Sequence, residues 1–226
     1  MRLGFNEKTV GKCAGCGEEF SMRAMGAHIS KCDLLSGTNN TTIVLVKSLH
    51  LRAYWLYVSL SPKATLEDLD NLLREHWVEC CGHLSTFRAE DGIEYVSEGW
   101  EEDGFEKNMH PMGKANAFVA LSAGTLISYE YDMGSTTELE VESLGVHGLS
   151  TMKKTAILAR NNPPAATCGK CGAKAELIAS EGGEGGDGQV FCRKCAKGID
   201  EDETPLLPIV NSPRIGQCGY TGKPNE

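Results

Sequence analysis

The sequence predicts an α+β fold, in which a small mixed or antiparallel sheet domain with one main helix lies between two cysteine-rich modules. Three observations lead to this prediction. In the middle of the 226-residue chain, short segments alternate apolar with other residues, as half-buried strands do. One central segment has apolar residues at three-to-four spacing, which indicates a helix. Near the two ends, seven of the ten cysteines and one histidine form two sets of four.

Turn-forming residues divide the chain into three predicted parts. Asparagine with glycine or proline is concentrated at residues 36–40 and 161–166. We therefore predict an N-terminal module, a central α+β domain and a C-terminal module, at residues 1–36, 41–160 and 165–226. The last of these ends in a segment at 206–220 that is rich in apolar residues and proline, which we expect to be extended and to pack on a neighbouring segment.

The central domain is predicted to begin with strands at residues 41–51 and 54–60. A helix follows, in which Thr65 can cap the N-terminus and Asp68 lies three residues later. An apolar face at helical spacing is expected to be core, and it consists of Leu66, Leu69, Leu72, Leu73 and Trp77.

The second half of the central domain is predicted to be mostly strand. The Asp91-Gly92 pair predicts a hairpin turn, because glycine accepts the positive φ that such a turn requires. An acidic loop is expected at residues 98–112. Further strands are expected at residues 125–131, 138–144 and 155–159.

The N-terminal set consists of Cys13, Cys16, His28 and Cys32. The first two can sit on one knuckle, while the last two are four residues apart and are expected to share a helix face, with Ser21 as the cap of that helix. Such an arrangement closes a tetrahedron around Zn²⁺ and predicts a Cys₂HisCys zinc finger. The alternative is a chance Cys-x-x-Cys beside an unrelated histidine and cysteine.

This stretch resembles the ββα zinc-finger family, with Phe20 and Met25 near the two apolar positions and a cysteine in place of the second histidine. The resemblance places the base-reading positions at Ser21, Ala24 and Ala27. These side chains are too short to read bases in a major groove. We therefore expect a structural or protein-contact role for the N-terminal module.

The C-terminal set consists of Cys168, Cys171, Cys192 and Cys195, two Cys-x-x-Cys pairs that are twenty residues apart. This spacing is typical of a Cys₄ zinc ribbon or treble clef. Four thiolates leave no open coordination position, so the predicted ion is structural rather than catalytic. The glycine-rich acidic stretch at residues 181–188 is expected to be a solvated loop. Together the two sets predict two structural Zn²⁺ ions.

Four motifs give the central domain a resemblance to a known family. They are Tyr54-Trp55-Leu56, Thr65-Leu66-Glu67-Asp68-Leu69, His83-Leu84-Ser85-Thr86-Phe87 and Ile127-Ser128-Tyr129-Glu130-Tyr131-Asp132-Met133-Gly134. Over residues 41–150 the chain is similar to the plasmid pRi open-reading-frame-three-like proteins, also called TnpR-like transposon-passenger proteins. The resemblance implies a small α+β domain without an established biochemical activity. The chain departs from that family after Gly134, where polar residues usual in the family are replaced.

The net charge of −9 is concentrated in the centre of the chain. Residues 1–36 carry five basic and four acidic groups, and residues 151–226 carry ten and nine. The remaining residues 37–150 carry seven basic and eighteen acidic groups, a net charge of −11. Such a segment repels a phosphate backbone, so nucleic acid is a less favoured partner than a protein or small ligand at the acidic central domain.

A cluster of four residues follows the predicted helix and suggests a third metal site or a Cys–His nucleophile pair. It consists of His76, Cys80, Cys81 and His83. Core packing is the favoured interpretation, because free cysteine is among the most buried residue types. Asp132 is expected to pair with His83 if the tyrosine-rich strand lies beside it. Motifs that indicate an enzyme, such as a phosphate loop or a nucleophile elbow, are absent from the sequence.

The sequence thus predicts a cytoplasmic zinc-binding protein that acts by binding, as an adaptor, rather than as an enzyme, with no membrane partner. Paired cysteines without a signal sequence favour metal binding in a reducing compartment. The first alternative is nucleic-acid association through basic residues of the terminal parts, Lys153, Lys154, Arg193, Lys194 and Lys197. A weaker alternative is an enzyme that uses His83 and Asp132.

Overall fold

The computed structural model describes residues 8–100, 107–150, 153–180 and 188–222, and this part of the chain is mostly strand with few helices. The strands are β1 Val10–Cys13, β2 Glu19–Ser21, β3 Ser36–Ser48, β4 Trp55–Leu60, β5 Ser85–Ala89, β6 Glu94–Val96, β7 Met109–Pro111, β8 Leu126–Tyr131, β9 Thr137–Leu149, β10 Thr155–Asn161, β11 Leu177–Ala179, β12 Val190–Phe191 and β13 Leu206–Pro208. The α-helices are α1 Met22–Ile29, α2 Leu66–Leu73, α3 Ala117–Ala120 and α4 Arg193–Ala196.

Ten strands form one sheet in the order β2-β1-β10-β4-β3-β9-β8-β5-β6-β7. Neighbours are antiparallel except β6 and β7, which are parallel, so the predicted mixed sheet is confirmed. A second, antiparallel sheet has the order β12-β11-β13. Because helices are few, the α+β class itself stays a prediction.

The middle of the large sheet is covered on both faces. Val44 and Val46 of β3 pack in the core cluster that contains the apolar face of α2. Ile43 and Leu45 point to the other side and join a second cluster with Met25 of α1. Both faces of this strand are therefore buried, as its run of apolar residues allows. The alternation predicted for residues 138–144 is confirmed in β9, where buried residues alternate with partly buried or exposed ones.

The main helix α2 begins as its sequence predicts. The Thr65 hydroxyl accepts from the backbone N–H of Asp68 at 3.2 Å, and the Asp68 carboxylate accepts from that of Thr65 at 2.9 Å. This capping box satisfies two N–H groups that the first turn leaves without helical partners. After Leu73 the chain continues into a π-helical turn, Arg74–Val78, which brings Trp77 into the core.

Two local predictions need correction. The predicted break at residues 36–40 is wrong, because these residues form the start of β3 and pair with β9. The predicted loop at 98–112 contains strand β7, which adds to the edge of the sheet, and residues 101–106 of it lie outside the described residues. The hairpin at Asp91-Gly92 is confirmed: β5 pairs with β6, and Gly92 has a φ of 83°.

The terminal modules are joined to the central sheet. Strand β1 pairs with β10, so the N-terminal hairpin extends the large sheet rather than forming a sheet of its own. At the other end, Cys168, Ile178 and Val190 pack in the same core cluster as α2. The predicted solvated loop at 181–188 lies outside the described residues except for its last residue.

The final segment, residues 206–220, crosses the central domain and is called the C-terminal strap below. Its β13 pairs with β11, and the side-chain amide of its Asn211 accepts from the Asn161 side chain and donates to the Asn161 carbonyl at the end of β10. Ile215 belongs to the main core cluster, and Arg214 is completely buried. The strap therefore links the C-terminal module to the central domain by side chains as well as by chain connection.

Candidate metal centres

The described residues contain three groups of four Cys or His side chains whose ligand atoms all lie within 4.8 Å of one another. They are Cys13, Cys16, His28 and Cys32; Cys80, Cys81, His83 and Cys218; and Cys168, Cys171, Cys192 and Cys195. These groups contain three, three and four cysteines, which accounts for all ten cysteines of the chain. All ten are free thiols.

The N-terminal group is assembled by the β1–β2 hairpin and α1. Cys13 is the last residue of β1, and Cys16 lies in the tight turn that Gly17 closes by donating to the Cys13 carbonyl at 2.9 Å. His28 lies in the last turn of α1, and its ring stacks on Phe20 with 4.2 Å between the centroids. The Cys16 sulfur is 3.3 Å from His28 Nε2, and those of Cys13 and Cys32 are 3.9 Å apart.

Two details of the predicted N-terminal site are wrong. Cys32 does not share a helix face with His28, because α1 ends at Ile29 and Cys32 lies in the following turn. Ser21 occupies the N-cap position but makes no side-chain capping hydrogen bond. The turn nevertheless places Cys32 beside Cys13. The Cys32 carbonyl stabilises this turn by accepting from the N–H groups of Leu35 and Ser36 at 3.0 and 3.1 Å.

The C-terminal group is assembled by a turn after β10 and by the junction of β12 with α4. Cys168 and Cys171 lie on the turn that Gly172 closes with a φ of 75°, where its N–H donates to the Cys168 carbonyl. Cys192 is the N-cap of α4 and accepts from the backbone N–H of Cys195 at 3.5 Å. The sulfurs of Cys171 and Cys192 are 3.6 Å apart.

The thiols of the C-terminal group influence one another electrostatically. Backbone N–H donors, first that of Cys192, lower the pKa of the Cys168 thiol to about 6. Hydrogen bonds that the Cys195 thiol donates to neighbouring sulfurs, first to that of Cys171, stabilise its protonated form and raise the pKa of Cys195 to about 12. Thiolates this close repel one another, so the fully ionised group requires a compensating cation.

The third group corrects a prediction in part. Cys80 is half-buried and packs against the main core cluster, as predicted, whereas Cys81 is exposed and His83 is half-buried. Cys218 of the C-terminal strap joins them, with its sulfur 3.8 Å from that of Cys81 and 3.3 Å from His83 Nε2. His76, which the sequence places near them, does not belong to the group.

The sequence contains only part of the signal for this third group. Its local part is a Cys-Cys-x-His segment, which supplies three donors. The fourth donor, Cys218, is 135 residues away from His83 and carries no spacing motif. Such a group becomes visible only when the strap is placed on the central domain.

The predicted pair of His83 and Asp132 exists in the structure. Their Nε2 and Oδ2 atoms are 3.4 Å apart. The same Asp132 oxygen accepts from the Arg214 guanidinium at 2.6 Å, and His83 Nε2 lies 3.0 Å from the Cys81 sulfur. Both side chains are therefore engaged by the strap and the third group.

Two of the basic residues considered for nucleic-acid contact pair with carboxylates. The Lys154 ammonium is 3.0 Å from Asp68, and the Arg193 guanidinium is 3.0 Å from Glu176. On α1, the positions Ala24 and Ala27 are exposed but short. Binding of nucleic acid stays a prediction.

Comparisons with known proteins add little to this geometry. No family model matches the sequence, and no curated protein matches it. Among solved structures, the chain is similar to a protein of unknown function, MM3350 from Methanosarcina mazei Go1, with a sequence identity of 13% and a TM-score of 0.43. The match covers 60% of this chain and 76% of that protein. At this TM-score the likeness carries no argument about function.

Among the described residues, none of the helices has the length and apolar character that crossing a bilayer requires.

Proposed function

We propose that this chain is a zinc-binding, non-enzymatic adaptor in which two structural Zn²⁺ ions fix the terminal modules to the central sheet. One observation carries the proposal: each terminal group directs four Cys or His ligand atoms to one point. Four protein ligands complete the tetrahedral shell of zinc and leave no position for a reacting water. The donor sets, Cys₃His and Cys₄, are soft and favour zinc over magnesium or calcium.

The surroundings of the two groups support a structural role. Two thiols of each terminal group are buried, Cys13 and Cys32 in one and Cys168 and Cys192 in the other. These thiols belong to the clusters that contain the apolar side chains of the central sheet. An ion at either position therefore holds a module against the core. All ten cysteines are free thiols, and thiols stay reduced in the cytosol, so we also propose a cytoplasmic location.

The resemblance of residues 41–150 to the pRi open-reading-frame-three-like proteins fits the same proposal. That family has no established activity, so the resemblance assigns no reaction to the chain. We propose the α+β class for the central domain on the same grounds, with α2 as its main helix.

A cleft on the central domain is the proposed contact site for the partner. It has a volume of about 680 Å³ and lies between the β5–β6 hairpin and α3. Glu90 and Asp91 are exposed on one wall, and Val119, 74% exposed, lies on the other. Carboxylates opposite an apolar side chain suit a peptide that places a Lys or Arg beside an apolar residue.

The metal assignment is tested by native mass spectrometry and elemental analysis of the full chain. We expect Cys16→Ser and Cys171→Ser each to bind one zinc ion fewer than the wild type. The matched control is His147→Asn, because His147 belongs to none of the three groups. Loss of no ion in either variant, or iron in place of zinc, would contradict the proposal.

The binding assignment is tested with a library of displayed peptides and the full chain as bait. We expect enriched peptides to carry a basic residue next to an apolar one. The double variant Glu90→Lys and Asp91→Lys is expected to lose that enrichment, while His147→Asn retains it. If no peptide is enriched, or if the double variant enriches the same peptides as the wild type and His147→Asn do, the cleft is not the contact site.

A further inference from the structure

We propose that Cys80, Cys81, His83 and Cys218 form a third zinc site, which fastens the end of the C-terminal strap to the central domain. This inference goes beyond the proposed function, which assigns ions to the terminal groups only. It does not depend on those ions, because its ligands come from different segments of the chain.

The distances within the group suit a tetrahedral ion. Sulfurs that each lie about 2.3 Å from a tetrahedral zinc are about 3.7 Å from one another, and a sulfur and an imidazole nitrogen are slightly closer. Here the sulfurs of Cys81 and Cys218 are 3.8 Å apart and those of Cys80 and Cys81 are 3.3 Å apart. His83 Nε2 lies 3.0 and 3.3 Å from the sulfurs of Cys81 and Cys218.

Three of the ligands are held by a loop that is built around Tyr131. The Tyr131 hydroxyl accepts from the backbone N–H groups of Cys80 and His83, at 3.4 and 3.3 Å. It donates to the Glu79 carboxylate at 2.9 Å, and Glu79 also accepts from the N–H of Gly82. These bonds fix the backbone on both sides of Cys81 and so position the three donors before an ion binds.

The strap side of the site is positioned by Arg214 and Gln217. Arg214 donates to Asp132, Ser135 and Thr137, and the Thr137 hydroxyl donates to Gln217 at 2.7 Å. Cys218 directly follows Gln217 in the chain, so the hydrogen bonds of Arg214 and Gln217 also position the Cys218 thiol.

Backbone conformation marks the same place. In the described part of the chain, the non-glycine residues with positive φ are Asp132, at 65°, and Cys218, at 45°. Asp132 neighbours His83, and Cys218 is a ligand of the proposed site. A non-glycine residue keeps this conformation only where its surroundings compensate for the strain. A metal bond to Cys218 provides such compensation.

The donor set argues for zinc rather than for a disulfide between Cys81 and Cys218. A disulfide would use only two sulfurs. It would not account for the Cys80 sulfur and His83 Nε2, which lie beside them. Three thiolates and one imidazole are the composition that the N-terminal group also has. Four protein ligands again leave no open position, so this ion is structural.

Exposure distinguishes the third site from the other two. Each terminal group has two buried thiols, whereas Cys81 and Cys218 are exposed and Cys80 and His83 are half-buried. Chelators therefore reach the third ion most readily. We expect a mild chelator to remove one ion from the full chain before the others leave.

The first test counts ions in the full chain, purified under reducing conditions with zinc present. We expect three zinc ions in the wild type and in the control His147→Asn, and two in Cys218→Ser and in His83→Asn. Cys218 is exposed near the end of the strap, so its replacement by serine leaves the core intact. An ion count in Cys218→Ser equal to that of the wild type would overturn the proposal, as would a Cys81–Cys218 disulfide found under these conditions.

The second test measures amide hydrogen exchange in residues 211–222. We expect the first ion lost to the chelator to accelerate exchange there about tenfold in the wild type, whereas Cys218→Ser exchanges fast with or without chelator. Unchanged exchange on loss of that ion would show that the site does not fasten the strap. Failure of the terminal sites gives a different result, because Cys16→Ser and Cys171→Ser would then bind as many ions as the wild type.

Discussion

At the scale of single residues, Arg214 shows how the strap is held. Its side chain is completely buried, and its guanidinium donates to Asp132 at 2.6 Å and to the Ser135 carbonyl at 2.9 Å. The guanidinium carbon also lies 4.8 Å from the centre of the Tyr131 ring. Burial of Asp132 opposes its ionisation, but the hydrogen bonds from Arg214 and from the backbone N–H of Gly134, together with the positive charge of Arg214, outweigh this effect, so the pKa of Asp132 lies below its usual value.

We predict that Arg214→Ala destabilises the protein by about 3 kcal/mol, because it leaves the Asp132 carboxylate without its main partner. The measurement is urea unfolding of the full chain with zinc present. Arg193→Ala is the matched control, since the Arg193 side chain is 79% exposed and pairs with Glu176 at the surface. The control is expected to change stability by less than about 1 kcal/mol. Equal losses in the two variants would refute a special role for the buried pair.

Single residues also show what local spacing predicts. Local spacing predicts the eight terminal donors, because each set combines a Cys-x-x-Cys pair with two further donors at short separation. It does not predict Cys218, because the residues that Cys218 approaches are more than 130 residues away in the sequence. Local patterns identify a site when one module supplies all its ligands; a site between segments requires the tertiary contacts.

At the scale of secondary-structure elements, α2 is the element that the sequence predicts best. Its capping residues, its apolar face and its position after β4 agree with the structure. These signals are local, and each depends on residues within one or two turns. The helix contributes Leu66, Leu69 and Leu73 to the core as fully buried side chains, each worth roughly 2 kcal/mol.

We predict that Thr65→Ala lowers the free energy of unfolding by about 1 kcal/mol, because the N–H of Asp68 loses its acceptor. Thr65→Ser is the matched control, since serine retains the hydroxyl that accepts this bond, and it is expected to lose less than half as much. Denaturant unfolding measures both. If the alanine and serine variants are equally stable, the capping hydrogen bond contributes nothing.

Strand β3 shows why the bounds of an element are harder to predict than its presence. The sequence Ser36-Gly37-Thr38-Asn39-Asn40 is rich in turn formers, yet it forms strand because β9 supplies its partners, with a register shift between Ser36 and Asn39. A side chain at Gly37 would approach the backbone of Leu149 to 2.5 Å, so the glycine permits close contact between strands rather than a turn. Sequence patterns do not distinguish these two uses of glycine.

Replacement of Gly11 tests the junction between β1 and β10, which joins the N-terminal module to the sheet. A Cβ atom at this position would lie 2.2 Å from the Arg160 carbonyl oxygen and 2.5 Å from the Trp55 ring. We predict that Gly11→Ala forces β1 away from β10 and destabilises the protein by about 2 kcal/mol. Gly198→Ala is the control, since its nearest contact is 3.9 Å away. Thermal unfolding compares the two, and a harmless Gly11→Ala would show that this junction is loose.

At the scale of the whole molecule, the metal groups and the apolar core are parts of one structure. The main core cluster contains α2 side chains such as Leu69 together with Cys168, Cys192 and Ile215 of the C-terminal region. The second cluster combines Cys13 and Cys32 with residues of β3 and β4. Composition alone predicts three separate parts, because it reports turn-rich stretches but not the packing that joins the parts across them.

We therefore predict that loss of the C-terminal ion destabilises the entire chain. A structural zinc contributes several kcal/mol to folding, and in a protein of this size each kcal/mol shifts Tm by roughly 2–4 °C. Cys171→Ser is expected to lower Tm by about 10 °C when unfolding is followed by far-UV circular dichroism. Tryptophan fluorescence, which reports on buried Trp55 and Trp77 and on half-buried Trp100, is expected to give the same midpoint. If fluorescence keeps the wild-type midpoint while ellipticity alone changes, the C-terminal module unfolds by itself, and the shared core does not couple it to the central sheet.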